Sequence, residues 1–475
     1  MTPQPPGEPQ AAPRRVPWIY RGLHRSYARG LAINQYFRRR IRPAGIGMLL
    51  LLFVAAVLGA GSRLAGGPQL FALTFSLLLV ALGWAWLRRA TLVATRELPR
   101  YATVGEPLTY HVVVRNLSRW AVKDAWLAEM RPDPRPSAER FYFSREPGEE
   151  RRNVFDRTFA AYRWQWLLEL NRAFDGGKAL NPLRLARGAG TRVAITLRPL
   201  RRGLVPLGDL RVLLADPFGL LQRCRRVAAA TETLTVLPRR YRLRPLALAG
   251  SARFQTGGEV SSNTIGQAGE FLGLREYRAG DAMRQIHWRS WARLGRPIVK
   301  ELEETFFPRY GLVLDTFPVA GDAALFEEAV SLAASFAATL ETRESLLDLM
   351  FIRDEAHVFT AGRGTAKAEK ILEVLAAVDI DPCEDFDALG RLVMRHRDEL
   401  SACLVVLAGW SETRAEMVRM LARSGLSLMV FVICHDRDAT ARLVAAGCPP
   451  VAPHLLRVSH MQADLLGLPD VPHGP

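Results

Sequence analysis

The chain has 475 residues, 49% of them hydrophobic, a formal net charge of +17 and five cysteines. That length accommodates two or three domains with cores of their own. The cysteines are odd in number and lack a C-x-x-C pair, which excludes a disulfide framework and a zinc knuckle, and no nucleic-acid-binding motif accompanies the charge.

Residues 1–13 (MTPQPPGEPQAAP) are rich in proline and read as disordered. With residues 14–43 they make a disordered and basic arm, 1–43, carrying nine arginines against the single acid Glu8. Its second part has room for a partial helix along a membrane surface. Two uncharged runs follow within 44–87, Ala44 to Ser62 and Pro68 to Leu87. At the rise of an α-helix each reaches about 30 Å, the hydrocarbon thickness of a bilayer. Core helices of this length normally carry a polar stripe, and neither run has one. Only RLAGGP separates the two, so a transmembrane helical hairpin is expected. The arm before it and Arg88-Arg89 after it place both ends in the cytoplasm, since the intervening loop holds only Arg63. A cleaved signal peptide is not expected, because the first apolar run starts late and a second follows at once. Much of the positive charge then faces anionic headgroups, and topology and lipid contact explain it more simply than a nucleic-acid partner.

From Thr91 to Leu246 the pattern has period two with turn punctuation. Strands are expected at 108–116, 191–200, 209–217 and 231–238, making a β-sandwich over 91–246. An insertion at 138–190 interrupts it. Within the insertion Phe155, Phe159, Tyr162, Trp166, Leu170 and Phe174 recur at helical spacing beside Arg157, Arg163 and Arg172. One reading is a helix packed on the sandwich; the other is an aromatic, basic helix at the membrane interface.

The segment 266–304 is dense in Arg, Trp, Gly and acids, too polar for a core strand and too specific for a linker. Gly280-Asp281 reads as a turn and an N-cap for a helix starting at Ala282. Arg284 with Trp288, and His287 with Trp291, then lie on adjoining helix faces. Arg and Trp are enriched in binding hot spots. Two roles stand open: a docking surface, or an internal clamp that pairs Arg275, Arg284 and Arg293 with Glu270, Asp281 and Glu301 and fixes the sandwich to the next domain.

After it, elements alternate between strand and helix over 305–462, ahead of a tail at 463–475. Strands at 310–316, 346–352, 356–361, 401–409 and 426–434, with helices at 324–343, 365–378, 386–400 and 412–425, indicate a doubly wound α/β domain. Ligands of such sheets bind beyond the carboxyl ends of the strands, here Asp315, Gly409-Trp410-Ser411 and His435-Asp436. A strand ending in Asp315 before an FEEAV helix resembles the von Willebrand factor A fold. That fold often holds a divalent cation through D-x-S-x-S, but Phe317 and Val319 stand at the two serine positions. Hard cations need several oxygen ligands, so the expected metal site is degenerate, with Asp315 alone, and no cofactor is expected. No G-x-S-x-G elbow and no Walker A loop is present, and no catalytic residues are assigned. A helix cap is the ordinary explanation of Asp436.

The 266–304 segment resembles the signature of the DUF-58 family, a bacterial domain of unknown function. Glu270, Phe271, Leu274, Arg275, Tyr277, Gly280, Asp281, Arg284, Ile286, Trp288, Arg293, Lys300 and Glu301 match in one register, with His287 between them. RRGLVPLGDLRVLLADPFGLLQR (201–223) is similar to that family's sandwich strand pair. Trp291 departs from a usual Ser or Thr, and the insertion is longer than the family leads one to expect. The resemblance implies a membrane-anchored multidomain chain: transmembrane hairpin, β-sandwich, then a von Willebrand factor A-like α/β domain. It implies a non-enzymatic adaptor in the bacterial inner membrane, with its soluble domains in the cytoplasm. The implied partners are a MoxR-type AAA+ ATPase and, further, a transglutaminase-like membrane protein. The alternative is a metal-dependent enzyme or binding site at the strand ends around Asp315.

Overall fold

A computed structural model describes residues 16–61, 66–87, 90–146, 148–244, 270–281, 283, 286–303, 309–319, 322–339, 346–361, 365–380 and 385–468. The chain forms two compact units, Met1–Leu237 and Pro238–Pro475.

The first unit begins with three helices: α1 (Trp18–Arg38), α2 (Pro43–Gly61) and α3 (Gly66–Leu87). α2 and α3 pack against each other. Within α3, Gly67–Leu87 is long and apolar enough to cross a membrane, with a mean hydropathy of 2.1, while Pro43–Leu58 is apolar but shorter. Of the two expected spans, α3 alone meets that length among the described residues.

The strands of this unit are β1 (Leu92–Glu97), β2 (Tyr101–Thr103), β3 (Leu108–Asn116), β4 (Val122–Glu129), β5 (Phe174–Ala179), β6 (Leu183–Leu185), β7 (Gly190–Pro199), β8 (Gly203–Leu207), β9 (Leu210–Ala215), β10 (Gln222–Arg226) and β11 (Glu232–Leu237). One sheet runs β1-β3-β7-β5-β4-β9-β10, with β6 beside β4; a second runs β2-β11-β8. Period-two alternation turns Tyr110, Val112 and Val114 of β3 inward, where they share one core with Val205 and Leu207 of β8 and Leu234 and Val236 of β11. Fully buried Arg96 forks onto Glu129, Nε to Oε2 at 2.9 Å and an η nitrogen to Oε1 at 3.0 Å. The Tyr110 hydroxyl donates to the same carboxylate at 3.3 Å, so the buried charges are paired and hydrogen-bonded.

The insertion corrects the sequence reading. Its helices are α4 (Ala138–Phe143), α5 (Val154–Phe159) and α6 (Ala161–Leu170). The single helix expected through Phe174 breaks at Ala160, whose φ of +51° is left-handed. The break rotates the buried face: Trp164 and Leu167 of α6 go inward to pack with Phe141 of α4, while Phe155 and Phe159 stay exposed. Arg163, expected to flank the helix, is buried and donates to Glu149 at 2.9 Å. Phe174 starts β5, which returns to the sheet between β7 and β4. This strand is unreadable in sequence because its centre is Gly176-Gly177, both with positive φ, at a bulge. A Cβ on Gly177 would stand 2.8 Å from the Glu129 carbonyl oxygen.

Residues 1–15, including the proline-rich start expected to be disordered, lie outside the described residues, while the rest of the basic arm carries α1. Tyr20, Leu23, Tyr27 and Ala28 of α1 pack on the insertion core. The Tyr27 hydroxyl donates to the Phe159 carbonyl at 3.0 Å, and His24 Nε2 to that of Pro136 at 2.9 Å. The insertion is thus a seat for α1. The β9–β10 turn holds the bases of the two apolar helices. Arg42 N donates to Leu220 O at 3.0 Å and Gln222 N to Arg40 O at 2.7 Å. Arg223 donates to Ala85 O at 3.0 Å, satisfying a carbonyl at the end of α3. Gly45 of α2 has to be glycine here, because a Cβ would lie 2.2 Å from Leu220 O.

The second unit opens on β12 (Glu270–Glu276), α7 (Trp288–Leu294) and β13 (Ile298–Glu303), with β12 and β13 paired antiparallel. Then come β14 (Arg309–Leu314), α8 (Ala323–Thr339), β15 (Leu346–Arg353), β16 (Glu355–Ala361), α9 (Thr365–Ala377), α10 (Asp387–His396), β17 (Ala402–Leu407), α11 (Glu412–Arg423), β18 (Ser427–Cys434), α12 (Arg437–Gly447), β19 (His454–Arg457) and α13 (Met461–Leu466). The sheet order is β16-β15-β14-β17-β18-β19, parallel except for β16. β17 is buried at every position, as a central strand covered on both faces must be. α10 and α11 cover one face through Leu389, Val393, Met417, Val418 and Leu421. α8 packs on β14, β17 and β18, with Phe336 and Phe431 ring centroids 5.0 Å apart.

Candidate functional site

The carboxyl ends of β14 and β17 meet at Asp315, which is fully buried. Its Oδ1 accepts from Phe317 N at 2.8 Å, and its Oδ2 from Ala408 N at 3.0 Å and Arg414 Nε at 2.9 Å. Arg414, 5% exposed, also donates to the Ser411 hydroxyl at 3.1 Å and to the Phe317 carbonyl. Its guanidinium lies over the Phe386 ring, 4.7 Å from the centroid. Burial pushes the Asp315 carboxyl above its usual range, against the opposing pull of Arg414 and the two amides. Three N–H groups and a guanidinium charge therefore occupy the carboxylate.

The residues at the two expected serine positions are committed to packing. Phe317 meets Phe386 edge-on, centroids 6.0 Å apart. Val319 fills the space over Gly409, where a Cβ would stand 2.6 Å from Val319 Cγ2. The Thr316 hydroxyl donates to Ile352 O at 2.6 Å. At the next strand end Asp436 caps α12, accepting from Asp438 N and Ala439 N at 2.9 and 3.1 Å. His435 Nε2 lies 2.6 Å from Asp322 Oδ2, whose other oxygen accepts from Ala324 N at the start of α8. Among the described residues no three His, Cys, Asp or Glu side chains are grouped to hold a metal ion.

Arg414 escaped the sequence reading because ETRAEMVRM looks like a solvated helix. The available signal was its register: it shares the buried face of α11 with Met417, Val418 and Leu421.

The signature segment is a two-stranded ribbon topped by α7. Gly280 has φ +111°, as the expected turn requires. The helix start expected at Ala282 lies outside the described residues. Asp281 takes both terminal nitrogens of Arg275, at 2.8 and 2.6 Å, and Arg278 N at 2.8 Å. The Arg275 hydrogen bonds and the Arg278 amide hold its carboxyl down at about 2. The ion pair closes inside the segment, which realises the Arg275 and Asp281 part of the expected clamp locally. Arg284 lies outside the described residues, as do the side chains of Glu270, Phe271 and Glu301. Lys300 is exposed, and Arg293 is exposed with no carboxylate partner among the described residues.

α7 starts at Trp288, and Gly295 ends it with φ +67°. His287 precedes it, with Nδ1 2.6 Å from the Ser290 hydroxyl. Trp288 and Trp291 therefore pair at i, i+3, stacked with centroids 5.2 Å apart and 16° between planes. Trp288 is 63% exposed, Met283 75% and Leu294 57%, with Leu274 and Tyr277 also open to solvent. An exposed aromatic and apolar group of this kind, flanked by arginines, is suited to protein contact.

Residues 273–437 match the model of a family described as "Protein of unknown function DUF58". The match takes in most of the signature segment, Asp315 and Arg414. The chain is 25% identical over 242 residues to "Uncharacterized protein YeaD" of Bacillus subtilis (strain 168), covering 50% of this chain and 58% of that protein. It thus spans little more than half the length of that relative. Solved structures with slight similarity include the CARDB domain of the PF1109 protein of Pyrococcus furiosus, at 11% identity and TM-score 0.17, covering 31% of this chain and 93% of that one. A cohesin module of a Clostridium perfringens glycoside hydrolase gives 7% identity and TM-score 0.16, covering 31% and 98%. Scores this low carry no argument about fold or function.

Proposed function

We propose that this chain is a non-enzymatic, membrane-anchored adaptor that docks a MoxR-type AAA+ ATPase through the exposed face of α7. The observation that carries the reading is the stacked Trp288–Trp291 pair, its outer ring left in water. An unfilled aromatic surface is costly unless a partner covers it, and Trp is the side chain most often found at the centre of such contacts. α2 and α3 form a hairpin anchor in the bacterial inner membrane, supported by their apolar length and by arginines outside both ends. The basic arm meets anionic lipid. The first unit is read as a β-sandwich and the second as a von Willebrand factor A-like domain that presents a protein-binding face. A transglutaminase-like membrane protein is a further partner in the same assembly or remodelling system.

The alternative of chemistry at Asp315 has less support, because Arg414 holds the carboxylate that a cation or substrate would need. The test of the adaptor reading is binding of the detergent-solubilised full chain to a purified MoxR-type ATPase, with wild type and Trp288→Ala compared.

A further inference from the structure

In the first unit a cleft of about 790 Å³ opens between the last turns of α1, the end of β4 with residues 130–135, and the C-terminal end of α6. Six cationic side chains line it: Arg38 and Arg39 from the arm, Arg131 and Arg135 after β4, Arg172 after α6, and Lys178 of β5. The four lining acids are already engaged. Glu129 is held by Arg96, Asp133 by Arg135, Glu169 by Arg172 and Asp209 by Arg211. Arg96 and Arg211 lie behind the wall, so two of these acids are neutralised from outside the cleft. Arg131 and Arg172 share the carboxylate of Asp175, so Arg131 has only a shared counter-charge. Arg38 and Arg39 have no carboxylate partner among the described residues. Burial and the Arg172 charge both lower the Arg131 pKa, as crowded like charges do.

We infer that this cleft is a binding site for a phosphate-bearing anion, the phosphate of an anionic phospholipid headgroup being the ligand its place in the chain favours. Guanidinium groups converging from three elements offer the forked N–H donors that match phosphate oxygens. The arm side of the cleft ends only a few residues before α2 begins at Pro43. The Gln222–Arg40 and Arg223–Ala85 hydrogen bonds gather the bases of both apolar helices at one turn of the sheet. The lipid assignment rests on the membrane-anchored reading above, since only then does this edge lie at headgroup depth. The phosphate site itself does not.

The experiment is isothermal titration of the full chain in non-ionic detergent with short-chain phosphatidylglycerol, phosphatidylcholine of equal chain length, and glycerol 3-phosphate. Saturable binding of phosphatidylglycerol but not phosphatidylcholine is expected, weakened about tenfold or more in Arg38→Gln/Arg39→Gln. Lys178→Gln, which removes charge from the strand side, is expected to weaken it as well. Arg25→Gln/Arg29→Gln removes the same charge from α1 outside the cleft and is expected to leave binding unchanged. Binding of glycerol 3-phosphate as tight as that of phosphatidylglycerol would support the phosphate site and transfer it to a soluble ligand. Equal loss in the two double variants, or no saturable binding of either phosphate compound, overturns the site. Alkaline carbonate extraction of membranes tests the anchor separately, so failure of the anchor and failure of the site are read apart.

Discussion

Arg414 reaches across 99 residues of sequence to donate to Asp315 at 2.9 Å, with both side chains buried. The two close the strand ends where an open α/β sheet normally receives its ligand. A buried carboxylate held this way is a structural lock rather than a vacant ligand.

Breaking the lock from one side leaves a buried charge without its partner. Asp315→Ala or Arg414→Ala is expected to destabilise the fold by about 3–5 kcal/mol in urea unfolding. Asp315→Leu/Arg414→Met, which removes both charges while keeping volume, is expected to regain most of that loss. Additive losses in the double variant would show that the two side chains act separately.

With Arg414 and two amides on its oxygens, Asp315 offers a hard cation too little of the oxygen coordination it needs. Millimolar Mg²⁺ or Mn²⁺ is expected to leave the melting temperature unchanged, and EDTA dialysis to have no effect. A rise in melting temperature that disappears in Asp315→Asn would overturn this account.

Gly409 has φ +107° and faces Val319, so Gly409→Ala meets both a strained backbone and a clash. A loss of about 1–3 kcal/mol is expected. Adding Val319→Ala removes the 2.6 Å contact with Cγ2 but keeps Val319 Cβ at 2.9 Å, so it is expected to recover only part of the loss, the backbone conformation remaining as well. Thermal melts of the two variants separate the terms.

Asp281 has its carboxyl lowered from 3.8 to about 2 by Arg275 and the Arg278 amide. The folded value lies below the unfolded one, so the contribution to stability is fully present above the unfolded value. It is lost as pH falls from there through about 2. NMR titration of the Asp281 carboxyl is expected to show a midpoint near the lower value in wild type. In Arg275→Gln the midpoint should rise toward 3.8. An unmoved midpoint would mean that the pair does not form in solution.

Much of the second unit was legible because its strands are unbroken apolar runs between helices with clear stops; β17 and α11 follow the pattern closely. β3 was legible through strict alternation. β5 was not, since two glycines at a bulge erase the period-two signal. A partial helix was legible in the arm, but the seat of α1 was not, because aromatic contacts fix it to an insertion more than a hundred residues later. The candidate site divides in the same way. Asp315 and the signature residues could be singled out from type and spacing alone. Arg414 could not be assigned, because its meaning depends on a partner that only the folded sheet brings near. Asp281 was legible as part of a turn, but its pairing with Arg275 and the Arg278 amide was not, because it depends on how the ribbon folds back.

The most direct test of the adaptor account is the dissociation constant between the detergent-solubilised full chain and a purified MoxR-type ATPase. Trp288 is mostly exposed, so Trp288→Ala is expected to keep the wild-type melting temperature while losing about 2 kcal/mol or more of binding, some thirtyfold in affinity. Absence of binding by the wild-type chain, or equal affinities for wild type and Trp288→Ala, would contradict the claim that α7 is the docking face.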